Sequence, residues 1–242
     1  INVMKKYFIF ILFPFLMNAQ EMVFSFKERT ANKSETFDKL KFVKSKVFYE
    51  DENYKVRETC SGEWGGTVYF KNKKTHKETA ASATCVVNVN KIDGKYFVTS
   101  SLNHLSRSTK IIEIDNPAEL DVFKLPKPKS FYKGKGIYSV DDVESKSTKG
   151  TKKVLDSIRV LALASFIWKK NLYHLYTDTS NVYLATIENK KFKNILKIYD
   201  KGIFEFTQYK TKDGHLILYF KREDEEGYFD IQENEIILTK FK

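Results

Sequence analysis

Only two cysteines, Cys60 and Cys85, occur in 242 residues, too few for a disulfide-dense miniprotein or a four-cysteine zinc site. Proline (4) and glycine (10) are scarce as well, which excludes a collagen-like or linker-dominated chain. The sequence has no GxxxxGK[ST], no HExxH, no CxxC and no GxSxG, so phosphate-cradle, zincin, dithiol and nucleophile-elbow chemistry are not expected, and neither is a metal or cofactor. Past residue 20 no stretch approaches eighteen apolar residues. The best internal run, Val160 to Trp168, is interrupted by Ser165 and is too short to span a bilayer. Acidic residues are the minority charge, 31 against 42 Lys and Arg, and a formal charge of +11 excludes an acidic tail or metal buffer. Aromatics are plentiful instead. Twenty Phe and 14 Tyr lean the chain towards sheet, and its length suits one large domain or two small ones.

The first residues read as an address. Ile1-Asn2-Val3 precede Met4, where translation is expected to start. Lys5 and Lys6 form a basic head, Tyr7 to Met17 an apolar stretch of eleven residues, and Asn18-Ala19-Gln20 a polar end. That is the layout of a secretory signal peptide over residues 1–19, with Ala19 at the −1 position. Eleven residues make a helix of only about 16 Å, too short for an uncleaved anchor. No Cys follows, so no lipoprotein anchor is indicated. The ending Met17-Asn18-Ala19-Gln20 resembles signal peptides of exported β-rich proteins of Bacteroidetes-type bacteria, a resemblance that covers only the leader. The resemblance implies export and transfers no functional residue. Loss of Lys5 and Lys6 with the leader takes the charge from +11 to +9. A secreted or periplasmic location, with cell-surface association as a variant of it, then predicts that Cys60 and Cys85 are disulfide-bonded.

The rest of the chain repeats one theme, short alternating apolar runs between turns rich in Lys, Asn, Asp and Gly. Residues 20–38 are weakly patterned and predict a loose lead-in with a strand at Met22–Phe26. Over 39–242, strands are expected at Leu40–Tyr49, Thr67–Lys71, Ala83–Val89, Tyr96–Ser100, Lys110–Ile114, Asp121–Lys124 and Ile137–Val140. Further strands are expected at Ser157–Ile167, Leu172–Tyr176, Val182–Ile187, Phe192–Ile198, Ile203–Tyr209, His215–Phe220, Tyr228–Ile231 and Glu235–Lys240. Asp93-Gly94 and Asp213-Gly214 are strong hairpin signals, and Glu188–Lys191 and Gln232–Glu235 softer ones. The fold class is therefore all-β, a single antiparallel meander.

Leu102–Thr109 and Leu172–Thr179 match at Leu, His, Leu and Thr, each followed by an apolar run ending in Ile-Glu, with Gly214-His215-Leu216 as a weaker third copy. Blades of about 40–45 residues fit four or five times into 39–242, which predicts a small propeller-like fold, with a β-sandwich or open barrel as the alternative. In such a fold His104, His174 and His215 could converge near an axis as acid–base groups or ligands; packed structural histidines are the competing reading. His76 lies in a charged turn. The acid pairs Glu113 and Asp115, and Glu119 and Asp121, fit solvated strand ends better than a glycosidase pair.

Residues 125–153 stand apart as a basic insertion. From Lys124 the segment carries nine lysines against Asp141, Asp142 and Glu144, with Pro126, Pro128 and three glycines. Lys127, Lys129, Lys133 and Lys135 are candidate contacts for an acidic partner, such as an acidic polysaccharide or another polyanion; export argues against specific nucleic-acid binding. The bland reading is a solvated loop. Trp64, in Ser61-Gly62-Glu63-Trp64-Gly65-Gly66, is either a stacking platform for a ligand or a residue capping the core.

Together these features predict an exported, non-enzymatic binding or scaffold protein of the envelope or extracellular space. The alternatives are a secreted hydrolase or lyase using the histidines, and a polyanion-binding module. A Cys60–Cys85 bridge closes a loop of about 26 residues, so its reduction is expected to lower the unfolding free energy by roughly 3 kcal/mol. Denaturation with and without reductant checks this, and identical midpoints would contradict it.

Overall fold

The computed structural model describes residues 24–44, 47–104, 106–139 and 142–242. The leader assigned to 1–19, the start of the strand expected at Met22–Phe26, and Val140 lie outside the described residues. The described chain is all-β. Its strands form four successive sheets and one small hairpin, and none of the sheets closes into a barrel.

The first sheet is built from β2 (Tyr49–Glu50), β3 (Tyr54–Cys60), β4 (Gly66–Asn72) and β5 (Glu78–Ser82) in spatial order. The second contains β6 (Val86–Ile92), β7 (Lys95–Leu102) and β8 (Ser108–Ile114), with the later β11 (Lys152–Ile158) added beside β8. Between β8 and β11 lies a two-stranded hairpin, β9 (Ser130–Tyr132) and β10 (Lys135–Ile137). The third is a plain meander of β12 (Leu161–Trp168), β13 (Asn171–Thr177), β14 (Val182–Glu188) and β15 (Lys191–Tyr199). The fourth runs β16 (Phe206–Lys210), β17 (Leu216–Lys221), β18 (Glu226–Gln232) and β19 (Glu235–Phe241).

All these neighbours are antiparallel, with one exception. β1 (Ser25–Ala31) lies parallel to β19 and forms the outer edge of the fourth sheet. The strand expected at Met22–Phe26 in the lead-in overlaps β1, which is described from Ser25 and runs on to Ala31. Lys27, Glu28 and Arg29 hid its continuation, because an edge strand can carry charges outward where an inner one cannot. Its continuation also docks. Phe37 packs among Phe42, Tyr209, Tyr219, Tyr228 and Phe241, and the Lys33 ammonium pairs with Glu226 among these rings.

Turn chemistry sets the hairpins. Asp93 and Gly94 both have positive φ, the backbone of a two-residue hairpin turn that matches strand twist. Asn189 and Lys190 do the same, and so do Lys169 and Lys170. The run expected as one strand at Ser157–Ile167 is two strands in different sheets. Arg159, at φ +64, turns the chain from β11 to β12, and its amide is held by the carbonyls of Ser106 and Arg107. Leu40–Tyr49 shortens to β2 and an isolated bridge at Phe42. Asp121–Lys124 reduces to a single bridge from Asp121 to Ala80, and Ile203–Tyr209 pairs only from Phe206. β3, β5 and β9 were not foreseen, and the strand expected at Ile137–Val140 ends at Ile137 as β10 among the described residues.

Two apolar cores result. The first and second sheets enclose Val56, Val68, Phe70, Tyr96, Val98, Ile112 and Ile114. The third and fourth enclose Leu163, Leu175, Leu184, Phe220, Phe229 and Leu238. Where the two halves meet, the contact is polar. β6, β12 and β16 are each at a free edge of their sheets. The Asn88 side chain accepts from the Ser165 amide at 2.7 Å and donates to Gln208 Oε1 at 2.9 Å. Gln208 donates to the Leu163 carbonyl at 2.7 Å, and Asn90 to Ser165 Oγ at 2.7 Å. Thr109 on β8 accepts from the Ala162 amide at 2.7 Å.

The expected disulfide is present. Cys60 and Cys85 join the end of β3 to the residue before β6, with Cα atoms 4.4 Å apart. Gly66 is obligatory beside it, since a Cβ there would lie 2.6 Å from the Thr59 carbonyl and 2.7 Å from that of Ala83. Gln208→Leu keeps the volume at the junction but strands the Leu163 carbonyl and the Asn88 amide. It is expected to cost about 2–3 kcal/mol in urea unfolding at unchanged m. An unaltered midpoint would show that the junction is held by something else.

Candidate functional site

The basic segment is anchored at both ends and free in the middle. On its inward leg, Asp121 lends its carbonyl to the Ala80 amide at 2.7 Å, covering the open edge of β5. On its return leg, the Ser147 carbonyl takes the Ser82 amide at 2.8 Å on the same edge, and Ser147 Oγ donates to Asp121 at 2.6 Å. Glu144 is the deepest anchor. Its carboxylate is buried and accepts from the hydroxyls of Thr59, Ser61 and Thr67, each at 2.6 Å. Burial alone would raise its pKa; the three hydroxyls and the nearby Lys146 outweigh that and hold it below the usual range. A carboxylate spent in this way is a fastener, not a free acid or base.

Between the anchors the chain leaves the body. Pro126 and Pro128 keep the approach extended. Lys133 (φ +49) and Gly134 (φ +77) make the tight turn between β9 and β10. Gly136 faces the Pro128 ring, which an added Cβ would approach to 2.7 Å. The tip carries rings into solvent, with Phe131 71% and Tyr132 64% exposed, against Ile137 and Leu125 at 45% and 49%. The Lys133 ammonium sits 5.4 Å from the Tyr132 ring centre.

The lysines differ in their partners. Lys129 is paired with Asp142 at 3.1 Å. Lys124, Lys127, Lys133 and Lys135 make no ion pair among the described residues, and no acid occurs from Val122 to Ser139. Elsewhere some lysines are matched, as where Lys91 meets Asp51 and Glu52. There burial works to raise the Asp51 carboxyl, but Tyr96, Lys91 and two backbone amides hold it at about 2. Trp64 does not cap the core. It is 48% exposed in the turn before β4, and its carbonyl takes the Lys146 ammonium at 2.9 Å, which places it at the foot of the basic segment.

The histidines do not converge. Among the described residues no group of three or more His, Cys, Asp or Glu could hold a metal ion. The two copies of the Leu-x-His-Leu pattern also differ in structure. His104 lies in the loop between β7 and β8, facing Glu63 at 3.2 Å across exposed surface, whereas His174 is inside β13. His215 opens towards β17 with Nδ1 2.9 Å from Gln232 and 3.1 Å from Asp230, whose carboxyl burial pushes up. His76 is exposed in the turn after β4.

His174 is the odd one. It is wholly buried between Ser165 and Ala185 on the neighbouring strands, with the Phe192 ring 5.6 Å away, and neither ring nitrogen has a partner. The proposed carboxylate pairs are also committed elsewhere. Glu113 and Asp115 share Lys95 at 2.9 and 3.0 Å, and Asp121 binds Ser147 and Lys149.

The sequence pointed to the lysines and missed the rings. Phe131, Tyr132 and Ile137 sit between lysines in a stretch too short to own a core, which is the signal that apolar groups there stay in solvent. No protein-family model and no curated protein sequence matches the chain.

Burial lowers the His174 pKa to about 3, far below the unfolded value near 6.5. Its contribution to stability is complete above pH 6.5 and is lost as the pH falls towards 3, because only the unfolded chain takes up the proton. Between pH 6 and 4 the loss should approach roughly 1.4 kcal/mol per pH unit. Unfolding titrations across that range should show a shallower slope for His174→Phe. Equal slopes would mean the imidazole is not sealed.

Proposed function

We propose that this chain is an exported, non-enzymatic binding protein whose recognition surface is the basic, ring-bearing hairpin β9–β10 and whose ligand is a polyanion. The observation that carries this reading is the set of four lysines that make no ion pair among the described residues, held on an excursion anchored at both ends. Unpaired cations on a fixed support attract an anionic polymer or surface without first breaking an internal pair. Trp64, whose carbonyl takes Lys146 at the foot of the segment, adds a half-exposed ring there.

The non-enzymatic part is supported by what the ionisable side chains are already doing. Glu144 is saturated by hydroxyls, His174 is shut away from solvent, and Glu113 is neutralised by Lys95 and Lys152. Export is supported by the Cys60–Cys85 bridge, which belongs in an oxidising compartment. No helix among the described residues is long and apolar enough to cross a membrane. A four-bladed, propeller-like arrangement is part of the reading. Four successive meanders and the meeting of β6, β12 and β16 along their free edges support it.

Heparin chromatography tests the reading. The protein is expected to be retained at low salt and released as salt screens the lysines. Lys127→Gln with Lys133→Gln and Lys135→Gln should elute much earlier at unchanged thermal stability. Retention that survives those substitutions would place the polyanion site elsewhere.

A further inference from the structure

The tip of β9–β10 combines two properties that a polymer ligand uses unequally. Register sets Ser130, Tyr132, Lys135 and Ile137 on one face and Phe131 and Gly136 on the other. Each face therefore offers an apolar group to solvent, and Leu125 extends the apolar surface along the approach. A two-stranded hairpin has no second layer to bury these groups against. A sulfated or carboxylated polysaccharide would satisfy the lysines and leave Phe131 and Ile137 in water.

A bilayer interface satisfies both sets. Aromatic side chains settle at the headgroup level, aliphatic ones just beneath, and lysine stems lie along apolar surface while their ammonium groups reach phosphates. Of Lys127, Lys133 and Lys135, Lys133 lies over the Tyr132 ring and Lys135 opposite it in the register. No acid occurs in the sequence from Val122 to Ser139, and Asp142 is taken up by Lys129. Gly134 at the turn and Pro126 and Pro128 on the approach make the excursion narrow and extended, so the tip can enter the interface while the sheets stay outside.

We propose that β9–β10 docks the protein on an anionic lipid bilayer, with Phe131, Tyr132 and Ile137 in the interface and the three lysines on headgroup phosphates. This rests on the reading of the hairpin as the recognition surface, and the experiment separates the two claims. The full protein is mixed with vesicles of phosphatidylcholine, with vesicles of phosphatidylcholine and phosphatidylglycerol, and with heparin beads, at low salt. Binding is read by co-sedimentation. The proposal expects partition onto the anionic vesicles and little onto the neutral ones.

Removing the three lysines as above should weaken partition by roughly a hundredfold. Phe131→Ser with Tyr132→Ser should weaken it by about tenfold or more while leaving heparin retention in place. Both sets of substitutions lie outside the two cores, and unchanged unfolding midpoints confirm that the body is intact. An aromatic variant that partitions like the parent would overturn interfacial docking. So would a parent that binds heparin but ignores anionic vesicles, and that result would leave the polyanion reading standing. A parent that binds neither removes both.

Discussion

Strand β12 has a strand neighbour on one side only, and side chains from three other strands take up the other side. Thr109 receives the Ala162 amide, Gln208 donates to the Leu163 carbonyl, and Asn88 receives the Ser165 amide. A free sheet edge is a row of unpaired donors and acceptors that must be hydrated, covered or paired. Here it is paired, by amides and a hydroxyl that come from β6, β8 and β16. The same bonds fix where the two apolar cores lie, because Asn88 belongs to the half built on Phe70 and Val98, and Gln208 to the half built on Phe220 and Leu238. Apolar residues at these positions would have packed, but they would have left β12 unsatisfied.

Edge management also explains the placement of the basic segment. The open edge of β5 is covered by the backbone at Asp121 and Ser147, and Glu144 ties the return leg to three hydroxyls. With both ends occupied in that structural task, the intervening residues can leave the body without loosening it. What they carry outward is lysines that make no ion pair among the described residues, together with rings that have no core to enter. Elsewhere on the surface several charges are paired locally, as where Arg57 is bidentate to Glu78 over the Tyr69 ring. Lysines and solvent-facing rings on one excursion, along a run from Val122 to Ser139 that contains no acid, are the physical basis of the proposed role.

Much of this was legible in the sequence, and the failures have identifiable causes. Asp93-Gly94 and Asn189 announce hairpins because their backbone tolerates positive φ, and the two cysteines in an export context announce a bridge. β3 was missed because Lys55 and Arg57 point outward while Glu58 interrupts the inward series begun by Tyr54 and Val56. β5 was missed because its buried residues include Ala80 and Ala81, too small to register as an apolar run. The break between β11 and β12 rests on Arg159 and the turn after β12 on Lys169 and Lys170, all at positive φ without glycine or asparagine to mark them. The histidine repeat misled for a different reason. His104 falls in a loop and His174 in a strand, so matching letters did not mean equal surroundings.

Native-state hydrogen exchange at the amides of Ala162 and Ser165 tests the central claim most directly. Neither amide needs a strand partner if Thr109 and Asn88 hold them, so both should be protected to the level of amides inside the third sheet. Exchange at the rate of a frayed or solvated edge would contradict the account, because it would leave the two halves joined by something other than side chains closing the free side of β12.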